Sequence, residues 1–270
     1  MTLQTSPQIV PARTASSSAA PTLRPAVILP GLGNNKGDYG KLEMVLKSYG
    51  VPTVAANVSR ADWLRNAAGL LDQNYWRGTL KPRPILDWYL KRIEDAITEA
   101  KKLTQDGLVS LVGHSAGGWL ARVYLEEFGT EGVSLLLTLG TPHLPPPKGV
   151  SGVIDQTRGL LNYVEENCTQ AVYLPEMKYV CIAGRFIQGV RINGEGNFQE
   201  RFVGQGYKQV CGKADVWGDG VVPEVSAHLE GALNITLDGV YHSPVGSDDL
   251  EKPWFGSPAV VEQWIQHLLT

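Results

Sequence analysis

The stretch that decides the reading is Leu-Val-Ser-Leu-Val-Gly-His-Ser-Ala-Gly-Gly-Trp-Leu-Ala-Arg-Val-Tyr at positions 108–124. Leu108 to Val112 is an apolar run of strand length. Gly113-His114-Ser115-Ala116-Gly117 breaks that run. Gly118 to Phe128 then has helical spacing, with Leu120, Val123 and Tyr124 on one face. A G-x-S-x-G match between a strand and a helix is the pattern of a strained turn that presents a serine hydroxyl above the end of a sheet strand. Small flanking residues let the backbone pass close to its neighbours. The amide of Ala116, at the helix start, then faces the place where negative charge would develop.

The alternation continues on both sides. Ala26 to Leu29 reads as a buried strand entering the turn Pro30-Gly31-Leu32-Gly33, and Asp38 to Tyr49 as a helix. Val51 to Val58 reads as a strand and Arg83 to Leu103 as the strongest helix. Further strands are expected at Ser134 to Leu139, Tyr179 to Ala183 and Leu233 to Leu237, with a closing helix over Val260 to Leu269. Apolar strands alternating with amphipathic helices specify an α/β fold, with a mostly parallel sheet covered on both faces. Two insertions interrupt it. Leu144 to Glu166 begins with a stiff Pro145-Pro146-Pro147 stem and suits a small cap, with Val153, Ile154, Leu160, Leu161, Tyr163 and Val164 as its apolar side. The other reading of that segment is a helix packed on the core. Gly184 to Gly212 is rich in glycine and aromatics, and reads as hairpins or loop.

Composition bounds the function. The 270 residues suit one large domain, and 43% hydrophobic against 19% charged residues excludes a disordered chain or a coiled coil. A net charge of −3 provides no broad basic surface, so no nucleic-acid partner is expected. No apolar run reaches the roughly 18 residues of a membrane-spanning helix. Cys168, Cys181 and Cys211 form no CxxC pair, which suits plain thiols in a reducing compartment and points to no metal and no cofactor. Residues 1–24 are rich in Ser and Thr and carry Arg13 and Arg24, and no acid precedes Asp38. That is the composition of an organelle transit peptide without a secretory apolar region; the other reading is a disordered N-terminal segment. The globular domain is then 25–270.

A serine of ordinary acidity needs a base, and this fold supplies its partners in the chain order Ser, Asp or Glu, His. Of His114, His143, His228, His242 and His267, only the last three follow late enough. His242 follows a strand and the turn Asp238-Gly239, which is the carboxyl edge of the sheet. His228 precedes that strand, and His267 sits in the closing helix. The acid candidates are Asp215, Asp219 and Glu224. Asp219 is preferred, because it stands between Gly218 and Gly220 in a loop free to turn toward an imidazole. The second oxyanion donor is expected from the turn after the first strand, with the amide of Leu32 first and Gly33 second.

With these residues in view the chain resembles the α/β-hydrolase superfamily, and within it lipase-like serine hydrolases, over roughly Pro25 to Thr270. Gly-His-Ser-Ala-Gly-Gly at 113–118 is similar to the lipase elbow, and Leu-Gly-Thr-Pro-His at 139–143 to the strand end that follows it. Gly-Asp-Gly-Val-Val-Pro at 218–223 is similar to the acid loop of lipases and of lipid acyltransferases related to lecithin:cholesterol acyltransferase. The core also resembles a group of plant plastid and cyanobacterial lipase-like proteins, which implies a plastid address for the N-terminus. At the first oxyanion turn the chain has Pro30-Gly31 where many lipases have His-Gly. The resemblance also places His143 in the site wall.

The resulting expectation is a carboxylester hydrolase. Ser115 is the nucleophile, His242 the base and Asp219 its orienting acid, and the amides of Leu32 and Ala116 hold the oxyanion. The partner is a small-molecule or lipid ester, with transient contact to a membrane surface. The aromatics between Trp63 and Tyr89 either line an acyl pocket or pack in the core. The same residues serve acyl transfer if an alcohol replaces water. A hydrolase fold that binds without catalysis is the reading from another class.

Overall fold

The computed structural model describes residues 23–168 and 177–269. The expectation for 1–24 therefore falls almost wholly outside the described residues. In chain order the elements are β1 (Ala26–Leu29), a 3₁₀ turn (Lys36–Tyr39), α1 (Gly40–Ser48), β2 (Thr53–Ala55), a long 3₁₀ stretch (Arg60–Leu71), α2 (Gln73–Arg77) and α3 (Asp87–Lys101). Then come β3 (Val109–His114), α4 (Ala116–Phe128), β4 (Val133–Leu139), α5 (Leu160–Asn167), β5 (Lys178–Arg185) and β6 (Ile187–Gln188). The chain closes with α6 (Phe198–Cys211), β7 (Trp217–Gly218), α7 (Glu224–Ala227), β8 (Leu233–Asp238), α8 (Pro258–Val261) and a last 3₁₀ turn (Ile265–His267).

Six strands form one sheet in the order β2-β1-β3-β4-β5-β8, and every pairing is parallel. Side chains alternate between its faces. Val27, Leu29, Val109 and Leu111 join α3, α4 and α5 in one apolar cluster. Ala26, Ile28, Val112 and Leu137 join Leu42 and Leu46 of α1 and the C-terminal Val261, Trp264 and Leu268 in the other. Each fully buried aliphatic side chain contributes about 1.5–3 kcal/mol relative to exposure, so β3 and β4, buried at every position, anchor the sheet.

Several boundaries move for local reasons. β2 is only Thr53–Ala55, because Ala56 N–H still reaches Ile28 but Val58 N–H turns back to the Ala56 carbonyl. Pro82 and Pro84 delay α3 to Asp87. The closing helix is two short pieces, split at Trp264, whose φ of −129° leaves the helical range. In 184–212 the expected hairpins or loop give way to α6, opened by a reciprocal Asn197/Glu200 capping box. Residues 144–166 pack onto the domain at their C-terminal end. The segment ends in α5, whose Leu161 and Val164 are buried in the main core beside Cys168, and Ile154 points to solvent. The physical reason is the amphipathic face of α5, which finds α4 and the sheet directly. Trp63, Trp88 and Tyr89 likewise pack edge to face on the core.

A parallel sheet brings all its carboxyl ends to one edge, where ligands of open α/β sheets gather. The loops after β1, β3 and β8 meet there.

Candidate active site

β3 runs on through His114, and Ser115 follows it at φ 51°, ψ −125°, before α4 begins. A side chain held at positive φ costs about 1–3 kcal/mol and must be over-determined by its surroundings. Ser115 N–H donates to the Leu139 carbonyl at 2.9 Å, and its own carbonyl accepts from the Thr141 hydroxyl at 2.9 Å and from Gly118 N–H at 3.1 Å. Two glycines make room. A Cβ on Gly117 would drive into the Leu29 carbonyl oxygen, and one on Gly31 would lie 2.8 Å from Ser115 Cβ. The turn after β1 thus presses directly on the serine.

Two other loops complete a row. His242 Nε2 lies 3.1 Å from Ser115 Oγ, and His242 Nδ1 lies 2.7 Å from Asp219 Oδ2. The other carboxylate oxygen, Oδ1, accepts from Val221 N–H at 3.0 Å and Val222 N–H at 2.7 Å. That fixes the carboxylate, which is 1% exposed. A carboxylate can only accept, so Nδ1 carries the imidazole proton and Nε2 offers its lone pair to the serine hydroxyl. His242 N–H also donates to the Asp219 carbonyl at 2.9 Å.

The remaining candidates stand elsewhere. Asp215 is exposed and paired with Arg191 at 2.9 Å. Glu224 meets Arg185 at 3.2 Å and accepts from the Thr236 hydroxyl. His228 Nε2 is 3.1 Å from that same hydroxyl. His267 lies in the last 3₁₀ turn. Ala116 is the first residue of α4, so its amide has no acceptor within the helix. Leu32 lies one residue beyond Gly31 with its side chain largely exposed. Among the described residues no group of three or more His, Cys, Asp or Glu is placed to hold a metal ion.

Sequence reasoning passed over two residues at this site. His114 lies too early in the chain to serve as the base, yet its Nε2 is 2.9 Å from the His242 carbonyl oxygen. Its Nδ1 is 2.7 Å from the Tyr39 hydroxyl, which also accepts from Gly31 N–H at 2.9 Å. The place of His114 beside Ser115 was the available signal; Tyr39 has none, since only the fold brings it there.

Burial holds two histidines neutral. His114 is pushed well below the ordinary 6.5 by burial, then by the neighbouring His242. His143 is pushed the same way by burial, then by the Arg122 guanidinium. The His143 ring meets the Thr138 hydroxyl at 3.1 Å and the Cys181 sulfur at 3.4 Å, inside the core. A base whose folded pKa is depressed gives stability that is complete above its unfolded value. That stability drains as pH falls, because only the unfolded chain takes up the proton. The thermal midpoint is therefore expected to fall between about pH 7 and about pH 5, and to fall less in His143→Gln. Equal falls in the two proteins would refute the assignment to His143.

Comparison with known proteins places the fold. A family model described as a PGAP1-like alpha/beta domain matches residues 79–201. No curated protein matches the chain. Among solved structures, the mature lipase BlEst2 of Bacillus licheniformis superposes over 95% of this chain and 96% of its own, with a TM-score of 0.53 and 18% identity. The putative cell surface hydrolase of Lactobacillus plantarum is 12% identical over 92% of this chain and 93% of its own, with a TM-score of 0.46. The Paleococcus ferrophilus monoacylglycerol lipase is 13% identical over 92% and 96%, with a TM-score of 0.44. With its six-strand parallel sheet flanked by helices and the whole-chain likeness to BlEst2, this chain has the α/β-hydrolase fold.

Proposed function

We propose that the protein is a serine carboxylester hydrolase acting on an apolar ester, a lipid ester, through an acyl-enzyme on Ser115. The observation that carries the reading is the unbroken row from Ser115 Oγ through the His242 imidazole to Asp219. In the first half-reaction Ser115 Oγ attacks the ester carbonyl carbon while its proton passes to His242 Nε2. Asp219 holds the imidazolium, and the amides of Leu32 and Ala116 hold the oxyanion. Collapse breaks the bond to the alcohol, which leaves with the proton from His242. Water, deprotonated by the same nitrogen, then releases the acid and restores Ser115.

The lipid assignment has separate support. The loops that carry Gly31, His143, Asp219 and His242 expose Leu32, Leu144, Val221 and Val245, each at least 40% accessible. Exposed apolar side chains next to the site residues in sequence suit an acyl chain or an aggregated substrate better than a polar ester.

The test is the rate of ester hydrolysis as a function of acyl length, with Ser115→Ala as the blank. Long-chain esters are expected to be cleaved, faster once the substrate aggregates. Cleavage of short soluble esters alone would overturn the lipid assignment. No rate above the blank for any ester, in a protein that also fails to react with an alkyl fluorophosphonate, would overturn the hydrolase reading. Acyl transfer to a lipid alcohol exceeding hydrolysis would replace water by an alcohol in the second step.

A further inference from the structure

Tyr39 and His114 are buried beside Ser115, have no place in the Ser–His–Asp row, and lie between two of the loops that the row depends on. The direction of each bond through them can be assigned. The His242 carbonyl can only accept, so the proton of the neutral His114 ring sits on Nε2. His114 Nδ1 is then bare and accepts from the Tyr39 hydroxyl. The hydroxyl oxygen in turn accepts from Gly31 N–H. Asn34 Oδ1 stands farther from the same hydroxyl, at 3.4 Å. The result is a line of hydrogen bonds with one sense: Gly31 to Tyr39 to His114 to the main chain of His242.

This line acts on both sides of the serine. At one end it consumes the Gly31 amide, which leaves the amides of Leu32 and Gly33, both without an acceptor among the described residues, as the donors of that turn. At the other end it fixes the His242 main chain, whose N–H is already held by Asp219 and whose carbonyl, among the described residues, is held only by His114. Packing alone does not account for the arrangement. Tyr39 and His114 both meet Trp254 edge-on, at 5.9 and 5.7 Å between ring centres, and a phenylalanine at 39 would keep that contact.

We infer that Tyr39 and His114 are positioning residues that hold the oxyanion turn and the base loop in register across Ser115. The inference rests on the serine-hydrolase reading of the site. Neither side chain touches a reacting atom; Tyr39 acts through the backbone of Gly31, next to the proposed oxyanion donor, and His114 through the backbone of His242.

Tyr39→Phe, His114→Phe and His114→Gln in the full chain test it. In Tyr39→Phe and His114→Phe, kcat is expected to fall about 10- to 100-fold, because small misplacements of reacting groups have effects of that size. KM should stay within about twofold. The rate of Ser115 labelling by an alkyl fluorophosphonate should fall in parallel with kcat. His114→Gln, whose side-chain amide can place an N–H where Nε2 stood, should recover part of the loss. A lower thermal midpoint with kcat per folded molecule within about twofold of the parent would mean a packing role only, and would overturn the inference. A second measurement needs no turnover. ¹⁵N-histidine NMR of the parent should show His114 protonated at Nε2 and not titrating from about pH 8 to about pH 5.5. A proton on Nδ1, or titration near the ordinary value, would overturn the linkage. Absence of Ser115-dependent hydrolysis with His114 in the Nε2–H form would overturn the ester-hydrolase reading while supporting the linkage.

Discussion

Ser115→Ala is expected to lower kcat by about 10⁶-fold, the scale on which removal of a serine nucleophile acts in enzymes of this chemistry. The fold should survive, because the main-chain bonds of residue 115 to Leu139, Thr141 and Gly118 do not involve its side chain. Alanine still sits at φ 51° and keeps the strain. Ser115→Gly should lose activity equally, yet be more stable than Ser115→Ala by about 1 kcal/mol or more, since glycine adopts positive φ without a Cβ penalty. Activity assays and denaturant titration of both variants separate the two effects. Retention of more than about 1% of kcat in either variant would refute Ser115 as nucleophile. Equal stability of the two would mean that the elbow stores no strain.

Asp219→Asn is expected to cost about 10⁴-fold in kcat with little change in KM. The reason lies in what the two carboxylate oxygens do. Oδ1 receives two amides, from Val221 and Val222, so an asparagine must put its carbonyl there. Its NH₂ then faces His242 Nδ1 and donates to it. That nitrogen becomes the acceptor, the ring proton moves to Nε2, and Nε2 no longer offers a lone pair to Ser115. The variant should label slowly with a fluorophosphonate and still fold. A loss smaller than about tenfold would show that Asp219 does not set the tautomer.

Much of the fold was legible because its signals are local. Glycines around Ser115 between a strand and a helix, apolar runs of strand length, and the spacing of Leu86, Leu90, Ile93 and Ile97 all sit within one turn or one strand of each other. Asp219 and His242, which the structure brings into one row with Ser115, were legible only through chain order, and the choice of Asp219 over Asp215 depended on the glycines beside it. What was not legible depends on contacts between distant segments. The helix α6 hides behind Gly204 and Gly206, which dilute its apolar pattern, and its start is marked only by the Asn197/Glu200 pair. The segment 144–166 carries an apolar face that suits a cap or a core helix equally, and nothing in it marks that α5 will pack on α4. Tyr39 reads as one more aromatic near a helix start, and the sequence has no mark of the histidine it meets 75 positions later.

Among the described residues β8 is the last strand in chain order, stands at the sheet's edge and is paired only with β5. Ser115 and His242 are 127 positions apart, so the proposed base arrives only when this strand docks. Non-local parallel pairing is slow to form, and chains of this size fold through intermediates. A nascent chain that already displays the serine elbow therefore has no base to work with. Under the proposed chemistry, the onset of activity marks completed topology, and partly made or partly unfolded copies are inert toward the esters around them.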